Sequence, residues 1–114
     1  MLTAVDILAR LYAAFNRRDV DGALSLLSPN VVWANDLEGG YVYGYEGVRA
    51  YWSRQLNESH VTAEPIGYSI SDDGSVDVEV RLTSRDATGN AVYERTGWHI
   101  FRLEDGLIAN FEVR

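Results

Sequence analysis

Apolar residues near the start of the chain recur at intervals of three and four, which is the spacing of one face of an α-helix. In the first segment these positions are Val5, Leu8, Leu11, Tyr12 and Phe15. Thr3 and Asp6 match the start of a helix, as a weaker form of the capping box. The pattern therefore predicts a first helix that begins after Thr3 and closes at Asn16-Arg17-Arg18, where positive charge is favourable.

Two further helices are expected before residue 60. Asp19 can cap a short second helix, and Ser28-Pro29-Asn30 ends it because proline cannot continue a helix. Its apolar positions are Ala23, Leu24, Leu26 and Leu27. Residues 31–35 have the composition of a strand, and residues 36–45 form a loop or ragged strand rich in glycine and tyrosine. A third helix is predicted from Glu46 to Leu56, and one side of it carries Val48, Tyr51, Trp52 and Gln55.

The second half of the chain changes to a period of two, which is typical of strands. Four segments are predicted, at about 61–71, 76–86, 91–103 and 107–113, and the breaks between them contain Gly74, Gly89 and Gly106. Glycine adopts the backbone conformations that tight turns require, so we expect three hairpins. These elements indicate the α+β class, with three N-terminal helices packed on one face of a curved, mostly antiparallel sheet. Such a sheet can leave a cavity open at one end, which is a common place for a ligand.

Length, charge and composition narrow the class of protein. A chain of 114 residues fits a single domain over 1–114. Seventeen acidic and ten basic residues give a net charge of −7, so we expect no nucleic-acid partner. The absence of cysteine excludes disulfides, thiolate metal sites and cysteine nucleophiles. Without a basic, apolar leader or a long apolar run, we expect a cytoplasmic protein that does not bind membranes.

Four stretches of the chain resemble motifs of one large superfamily. The first two are Phe15–Ala23, between the first helices, and Leu27–Trp33, which enters the first strand. The other two are Gly44–Trp52, at the start of the third helix, and Phe101–Ile108, in the last hairpin. In this order and spacing they are similar to the nuclear-transport-factor-2-like (NTF2-like) superfamily. The closer likeness is to its small bacterial proteins of ketosteroid-isomerase and SnoaL-like polyketide-cyclase type, and it covers essentially the full chain.

The resemblance implies a cone-shaped α+β barrel, usually dimeric, with a pocket between the first helix and the concave face of the sheet. The fold hosts isomerases, cyclases, dehydratases, epoxide hydrolases and non-catalytic binders, so it leaves the function open. In the family's ketosteroid isomerases, a carboxylate base works with an oxyanion hole made by a tyrosine and a protonated acid.

Transferred to this sequence, the resemblance places the base at Asn35, which cannot take a proton, with Asp36 beside it. The tyrosine falls at Leu11, with Tyr12 one position away, and the acid of the oxyanion hole falls at His99. The position of the site is therefore kept while its chemistry differs. This argues against an unchanged steroid-isomerase mechanism.

His99 is the leading candidate for catalysis. Alternation along its strand puts it on the same face as Gly97 and Phe101, and opposite Trp98 and Ile100. Free imidazole has a pKa of about 6.5, so a histidine on a concave face can act as general acid or base near neutral pH. The alternative is a core histidine that is hydrogen-bonded to a neighbour and takes no part in chemistry.

Asn35, Asp36 and Tyr12 complete the catalytic candidates. We expect Asn35 to face inward and, with Tyr12, to polarise a carbonyl or hydroxyl group. We expect Asp36 to make the turn, and the alternative is a proton acceptor at the pocket mouth. Arg95 shares the side of His99. It either reaches a ligand carboxylate, pairs with Glu94 or Asp86, or stays solvated, as arginines near strand ends usually do.

Aromatic residues are the candidates for ligand binding. Tyrosine and tryptophan offer a large apolar face, which suits a small apolar or polycyclic ligand. We expect Trp33 and Trp52 to contact such a ligand, together with Phe15 and Phe101. The resemblance supports Trp52, because an aromatic residue at this place in the third helix borders the isomerase pocket.

Two sequence features bear on partners and cofactors. Trp98 and Ile100 point outward, and an exposed apolar pair of this kind predicts a homodimer through the sheet face. The two histidines without cysteine give no convincing metal-ligand set, and the motifs of nucleotide-binding loops are absent, so we expect no metal and no cofactor.

The leading hypothesis is a cofactor-independent acid/base enzyme, of isomerase, cyclase or dehydratase type, that acts on a small apolar, cyclic metabolite. The alternatives are a non-catalytic ligand-binding module and a dimerising scaffold of the same fold.

Overall fold

A computed structural model describes residues 2–36, 38–58 and 60–114. Its helices are α1 (Ala4–Asn16), α2 (Val20–Leu24) and α3 (Gly44–Glu58). Its strands are β1 (Leu27–Ala34), β2 (Tyr41–Tyr43), β3 (Val61–Ile70), β4 (Val76–Arg85), β5 (Ala91–Glu104) and β6 (Leu107–Val113). The predicted α+β class is confirmed, and the four long strands of the second half lie within one residue of their predicted bounds.

Local hydrogen bonds fix the starts of the first two helices. The Thr3 hydroxyl accepts from the Asp6 backbone N–H at 3.1 Å, and the Asp6 carboxylate accepts from the Thr3 N–H at 3.0 Å. This is the predicted capping box. Asp19 caps α2 by accepting from the Gly22 N–H at 2.9 Å. Between the helices Arg18 has a φ of 64°, a left-handed conformation in which the chain reverses.

The second helix is shorter than predicted because the residues expected at its end pair with a strand instead. α2 stops at Leu24, and Leu27 already pairs with Ile108, in parallel, across β1 and β6. The Ile108 N–H also donates to the Leu26 carbonyl at 2.9 Å. Pro29, expected to end a helix, lies within β1 where the register against β6 shifts. A strand tolerates proline at such an irregularity, since no hydrogen bond between the strands requires the missing N–H.

The six strands form one curved sheet in the order β2-β1-β6-β5-β4-β3. β1 and β6 run parallel, and the other described neighbours are antiparallel. The three predicted hairpins join β3 to β4, β4 to β5 and β5 to β6. In the described sheet β2 and β3 are edges, so the sheet stays open and does not close into the expected cone-shaped barrel.

The core lies between the helices and the concave face of the sheet. Alternation along β4 buries Val76, Val78 and Val80 and leaves the residues between them partly exposed, as predicted. α1 packs mainly on β3 and α3 mainly on β1, so the two long helices cover different parts of the sheet. The helices in the described part of the chain are too short or too polar to span a membrane. This arrangement leaves space between α1, α3 and the strands.

Candidate functional site

A cavity of about 350 Å³ lies between α1, α3 and the concave face of the sheet. This volume falls within the range of about 300–1,000 Å³ that small-molecule sites occupy. The described residues that line it are Leu11, Tyr12, Phe15, Trp33, Asp36, Tyr51, Trp52, Gln55, Val61, Ala63, Leu82, Arg95, His99, Phe101, Phe111 and Val113. The lining therefore includes His99, Tyr12 and Asp36, together with Phe15, Trp33, Trp52 and Phe101.

Tyr12 and His99 meet inside this cavity. The Tyr12 hydroxyl oxygen lies 2.7 Å from His99 Nδ1, and the two rings are nearly parallel, with planes 8° apart. α1 supplies Tyr12 and β5 supplies His99, so the pair joins positions 87 residues apart. Either Tyr12 donates its O–H to Nδ1, or Nδ1–H donates to the phenol oxygen, depending on the imidazole tautomer. The hydrogen bond fixes both side chains at the cavity wall.

The surroundings keep both members of this pair neutral. Burial lowers the pKa of His99 to about 4, and the positive charge of Arg95 acts in the same direction. Burial also raises the pKa of Tyr12 above its ordinary value, with a smaller effect of Tyr68. The pKa of His99 thus lies below that of a free imidazole and below neutral pH. Burial excludes the water that would stabilise an imidazolium cation, so the imidazole is uncharged at neutral pH.

Aromatic rings surround the Tyr12–His99 pair. Trp33 and Trp52 meet edge to face with centroids 5.0 Å apart, and Trp33 stacks on Phe111 at 4.1 Å. Phe111 in turn meets His99 edge to face at 4.9 Å. Phe111 was not among the sequence candidates. Its pairing with Phe101 across β5 and β6 puts it on the concave face, and recognising it required the register of those strands.

Asn35 and Asp36, which follow β1, both take part in the turn to β2. The Asn35 side-chain oxygen accepts from the Glu38 backbone N–H at 3.0 Å, and its backbone pairs with Gly39 and Gly40, so Asn35 makes the turn. It is not among the described residues that line the cavity. Asp36 lies in the turn, as expected, and its exposed side chain also lines the cavity. The expectation that Asn35 faces inward is wrong, because a short polar side chain satisfies the backbone of a tight turn.

The described part of the lining contains three further polar residues, two on α3 and one on β5. The Tyr51 hydroxyl accepts from the Asp36 backbone N–H at 3.0 Å and so holds the start of the β1–β2 turn against α3. Gln55 lies one helical turn further along α3. Arg95 lies on the same face of β5 as His99 and is exposed. Within 2–36, 38–58 and 60–114, no group of three or more histidines and carboxylates is placed to hold a metal ion.

In the NTF2-like class of fold, a curved sheet wraps around a long helix and encloses a cavity between them. The SnoaL-like domain matches residues 8–111, and the chain therefore belongs to the SnoaL-like family. The predicted resemblance is confirmed. A comparison with curated proteins found no match.

Three solved structures share this fold at low sequence identity. An NTF2-like protein of unknown function from Burkholderia pseudomallei is 24% identical with a TM-score of 0.82, and the match covers 100% of this chain and 91% of that one. TerC, co-crystallised with polyporic acid, is 21% identical with a TM-score of 0.81, covering 96% and 88%. A Mycobacterium tuberculosis protein in complex with estradiol-17β-hemisuccinate is 20% identical with a TM-score of 0.80, covering 96% and 91%. At these identities the likeness concerns the fold.

Proposed function

We propose that this protein binds a small apolar, cyclic molecule in its cavity and catalyses a cofactor-independent proton transfer on it. The reaction is of the isomerase, cyclase or dehydratase type. The observation that carries the proposal is the 2.7 Å hydrogen bond between Tyr12 and His99 within the cavity lining. A basic nitrogen and a phenol are thereby held together where a bound molecule would lie.

The lining supports an apolar, cyclic ligand. Trp33, Trp52 and Phe101 present aromatic surface to the cavity, and aliphatic side chains of α1, β3 and β4 complete the wall. Planar rings stack favourably on such surfaces, in addition to the gain from burying apolar area. The fold neighbours crystallised with polyporic acid and with estradiol-17β-hemisuccinate support the same kind of use.

The neutral state of the pair suits proton abstraction. An uncharged imidazole has a free lone pair at neutral pH, so His99 can accept a proton from a carbon next to a substrate carbonyl. In the tautomer where Nδ1–H donates to Tyr12, the Nε2 lone pair takes this proton, and the phenol O–H is free to donate to the carbonyl oxygen. The imidazolium then returns the proton to a second carbon. The electron pair shifts within the substrate, and His99 ends as it began.

Two observations favour the second candidate, a non-catalytic ligand-binding module. The position of the isomerases' base carboxylate is Asn35, whose amide makes a turn. A pKa of about 4 also makes His99 a weak base. A cavity of about 350 Å³ gives a pure dimerising scaffold less support, because such a scaffold needs no internal space.

Solvent deuterium exchange tests proton abstraction without a known product. The purified protein would be incubated in D₂O with 2-tetralone, a cyclic ketone with acidic carbon-bound protons, and deuterium uptake followed by NMR. We expect uptake faster than in buffer, a loss of roughly 10²-fold or more in His99→Gln, and a smaller loss in Tyr12→Phe. His60→Gln removes an exposed imidazole outside the cavity and serves as the matched control. Equal uptake by wild type and His99→Gln, with binding retained, would support the binding module instead.

We also propose that two copies associate through the convex face of the sheet. This face exposes large apolar side chains, with Trp98 39% and Tyr43 66% exposed, and Ile100 beside Trp98 is partly exposed. Exposed apolar surface of this extent commonly marks an interface. A second copy would cover the tryptophan and leave the cavity, on the opposite face, accessible.

A further inference from the structure

Arg95 is an unpaired cation in the cavity lining. It is exposed on the concave side of β5, where it pairs in register with Leu82 of β4. In the described part of the chain, no carboxylate lies within ion-pair distance of its guanidinium. Six other arginines in the same described residues pair with an aspartate or glutamate: Arg17, Arg49, Arg54, Arg81, Arg102 and Arg114. Arg10, Arg18 and Arg85 also lack such a partner there, but they lie outside the lining of this cavity. Arg95 is thus a positive charge at the cavity that the described chain leaves uncompensated.

The negative charge of the lining lies on a different wall. Asp36 belongs to the turn after β1, and β6 separates β1 from β5 in the sheet order. Arg95 and Asp36 form no ion pair. An anionic group at Arg95 therefore avoids Asp36, while apolar side chains of the cavity lie between the two walls.

We propose that the ligand of this cavity carries a carboxylate, which binds the Arg95 guanidinium while the ring system of the ligand lies against Trp33 and Trp52. This inference rests on the proposed function, since it requires the cavity to bind a cyclic molecule. It narrows the ligand class from apolar cyclic molecules to cyclic molecules with one acidic group.

The chemistry of the guanidinium favours this match. Its planar donors bind a carboxylate through two parallel hydrogen bonds, which an ammonium or an amide side chain cannot do. The net charge of −7 repels anions over most of the surface, so a local cation determines where an acidic ligand binds. Together with burial, the larger cause, the charge of Arg95 contributes to the lowered pKa of His99 in the same cavity.

The test uses two probes that differ in charge and hardly in shape, 2-naphthoate and 2-naphthamide. Their binding would be measured by isothermal titration calorimetry at pH 7 on the wild type, Arg95→Gln, Arg95→Lys and Arg85→Gln. Arg85 lies outside the cavity lining and donates to the Gly89 carbonyl, so its variant removes the same charge elsewhere. We expect the wild type and Arg85→Gln to prefer naphthoate by roughly tenfold or more, because hydrogen bonds to charged groups are the stronger ones.

Arg95→Gln should lose this preference through weaker binding of naphthoate alone, and Arg95→Lys should keep part of it. Unchanged binding of naphthamide shows that the variant is folded and the cavity intact. Equal affinity of the wild type for both probes, or an equal loss of both in Arg95→Gln, would overturn the inference and leave the proposed binding function standing. Absence of binding by either probe would remove both proposals.

Discussion

Asn16 binds Ala63 through both ends of its side-chain amide. Asn16 Nδ2 donates to the Ala63 carbonyl at 2.7 Å, and the Ala63 backbone N–H donates to Asn16 Oδ1 at 2.8 Å. The amide thus bonds the edge strand β3 in the way that a neighbouring strand would. Because Asn16 ends α1, these bonds set the distance between β3 and the helix that supplies Tyr12 and Phe15 to the cavity.

Replacing Asn16 by alanine should therefore destabilise the protein. Two partly buried hydrogen bonds are lost, at about 1 kcal/mol each, and the Ala63 backbone groups lose their partners, so we expect a loss of about 2–3 kcal/mol. Urea unfolding followed by circular dichroism measures this. Asn57→Ala, at an exposed position near the end of α3, is the control and should change stability by less than about 0.5 kcal/mol. Equal stability of the two variants would show that the amide has no structural role.

The stability of the protein should fall as the pH is lowered from about 6.5 to 4. The pKa of His99 is about 4 in the folded protein, while a histidine in the unfolded chain has a pKa of about 6.5. Within this window the unfolded state binds more protons, so lower pH favours unfolding, and the effect is complete below pH 4. We expect this contribution to be about 2 kcal/mol after allowance for the partial exposure of His99.

Two measurements check this pH dependence. The imidazole resonances of His99 should titrate in NMR with a midpoint near pH 4. Denaturant unfolding at pH 7 and pH 4.5 should show a smaller difference in His99→Gln than in the wild type, because the variant lacks the titrating group. A midpoint above pH 6 would mean that water reaches the imidazole, and it would contradict this prediction.

Phe101 should be the most costly aromatic residue to truncate. Its side chain is 1% exposed, and its ring meets those of Tyr12, Trp33 and Phe111 at 5.2–6.2 Å. Phe101→Ala removes these contacts and enlarges the cavity, so we expect a loss of about 3–5 kcal/mol in thermal unfolding. Phe15→Ala, at a partly buried position of the lining, should cost clearly less. A larger loss of stability in Phe15→Ala than in Phe101→Ala would contradict this prediction.

Trp98→Glu should convert the proposed dimer into a monomer. A carboxylate in an apolar interface remains unpaired and desolvated, which is strongly unfavourable. Size-exclusion chromatography with light scattering should give about twice the chain mass for the wild type and the chain mass for the variant. Ile70→Glu alters an exposed apolar residue on another part of the surface and should leave the dimer intact. A monomeric wild type at high micromolar concentration would refute the proposal.

Local patterns predicted most of the fold. The alternation in β4, the turn glycines of the three hairpins and the capping residues Thr3 and Asp19 act over a few residues, so each could be recognised from its neighbours alone. The end of α2 could not be predicted from its neighbours alone. Leu27 has the spacing of a helical residue, but its parallel pairing with Ile108 takes it into β1, and that partner lies on the last strand.

The sequence by itself determined the α+β class, the order of the helices and strands, and the concave position of His99. Hydrophobic periodicity and turn chemistry are properties of short segments, so they can be recognised without the tertiary structure. Only the tertiary structure decided that Tyr12 bonds His99, that Asp36 and not Asn35 lines the cavity, and that the imidazole stays neutral. These features depend on contacts between distant segments and on the exclusion of water from the space that those segments enclose.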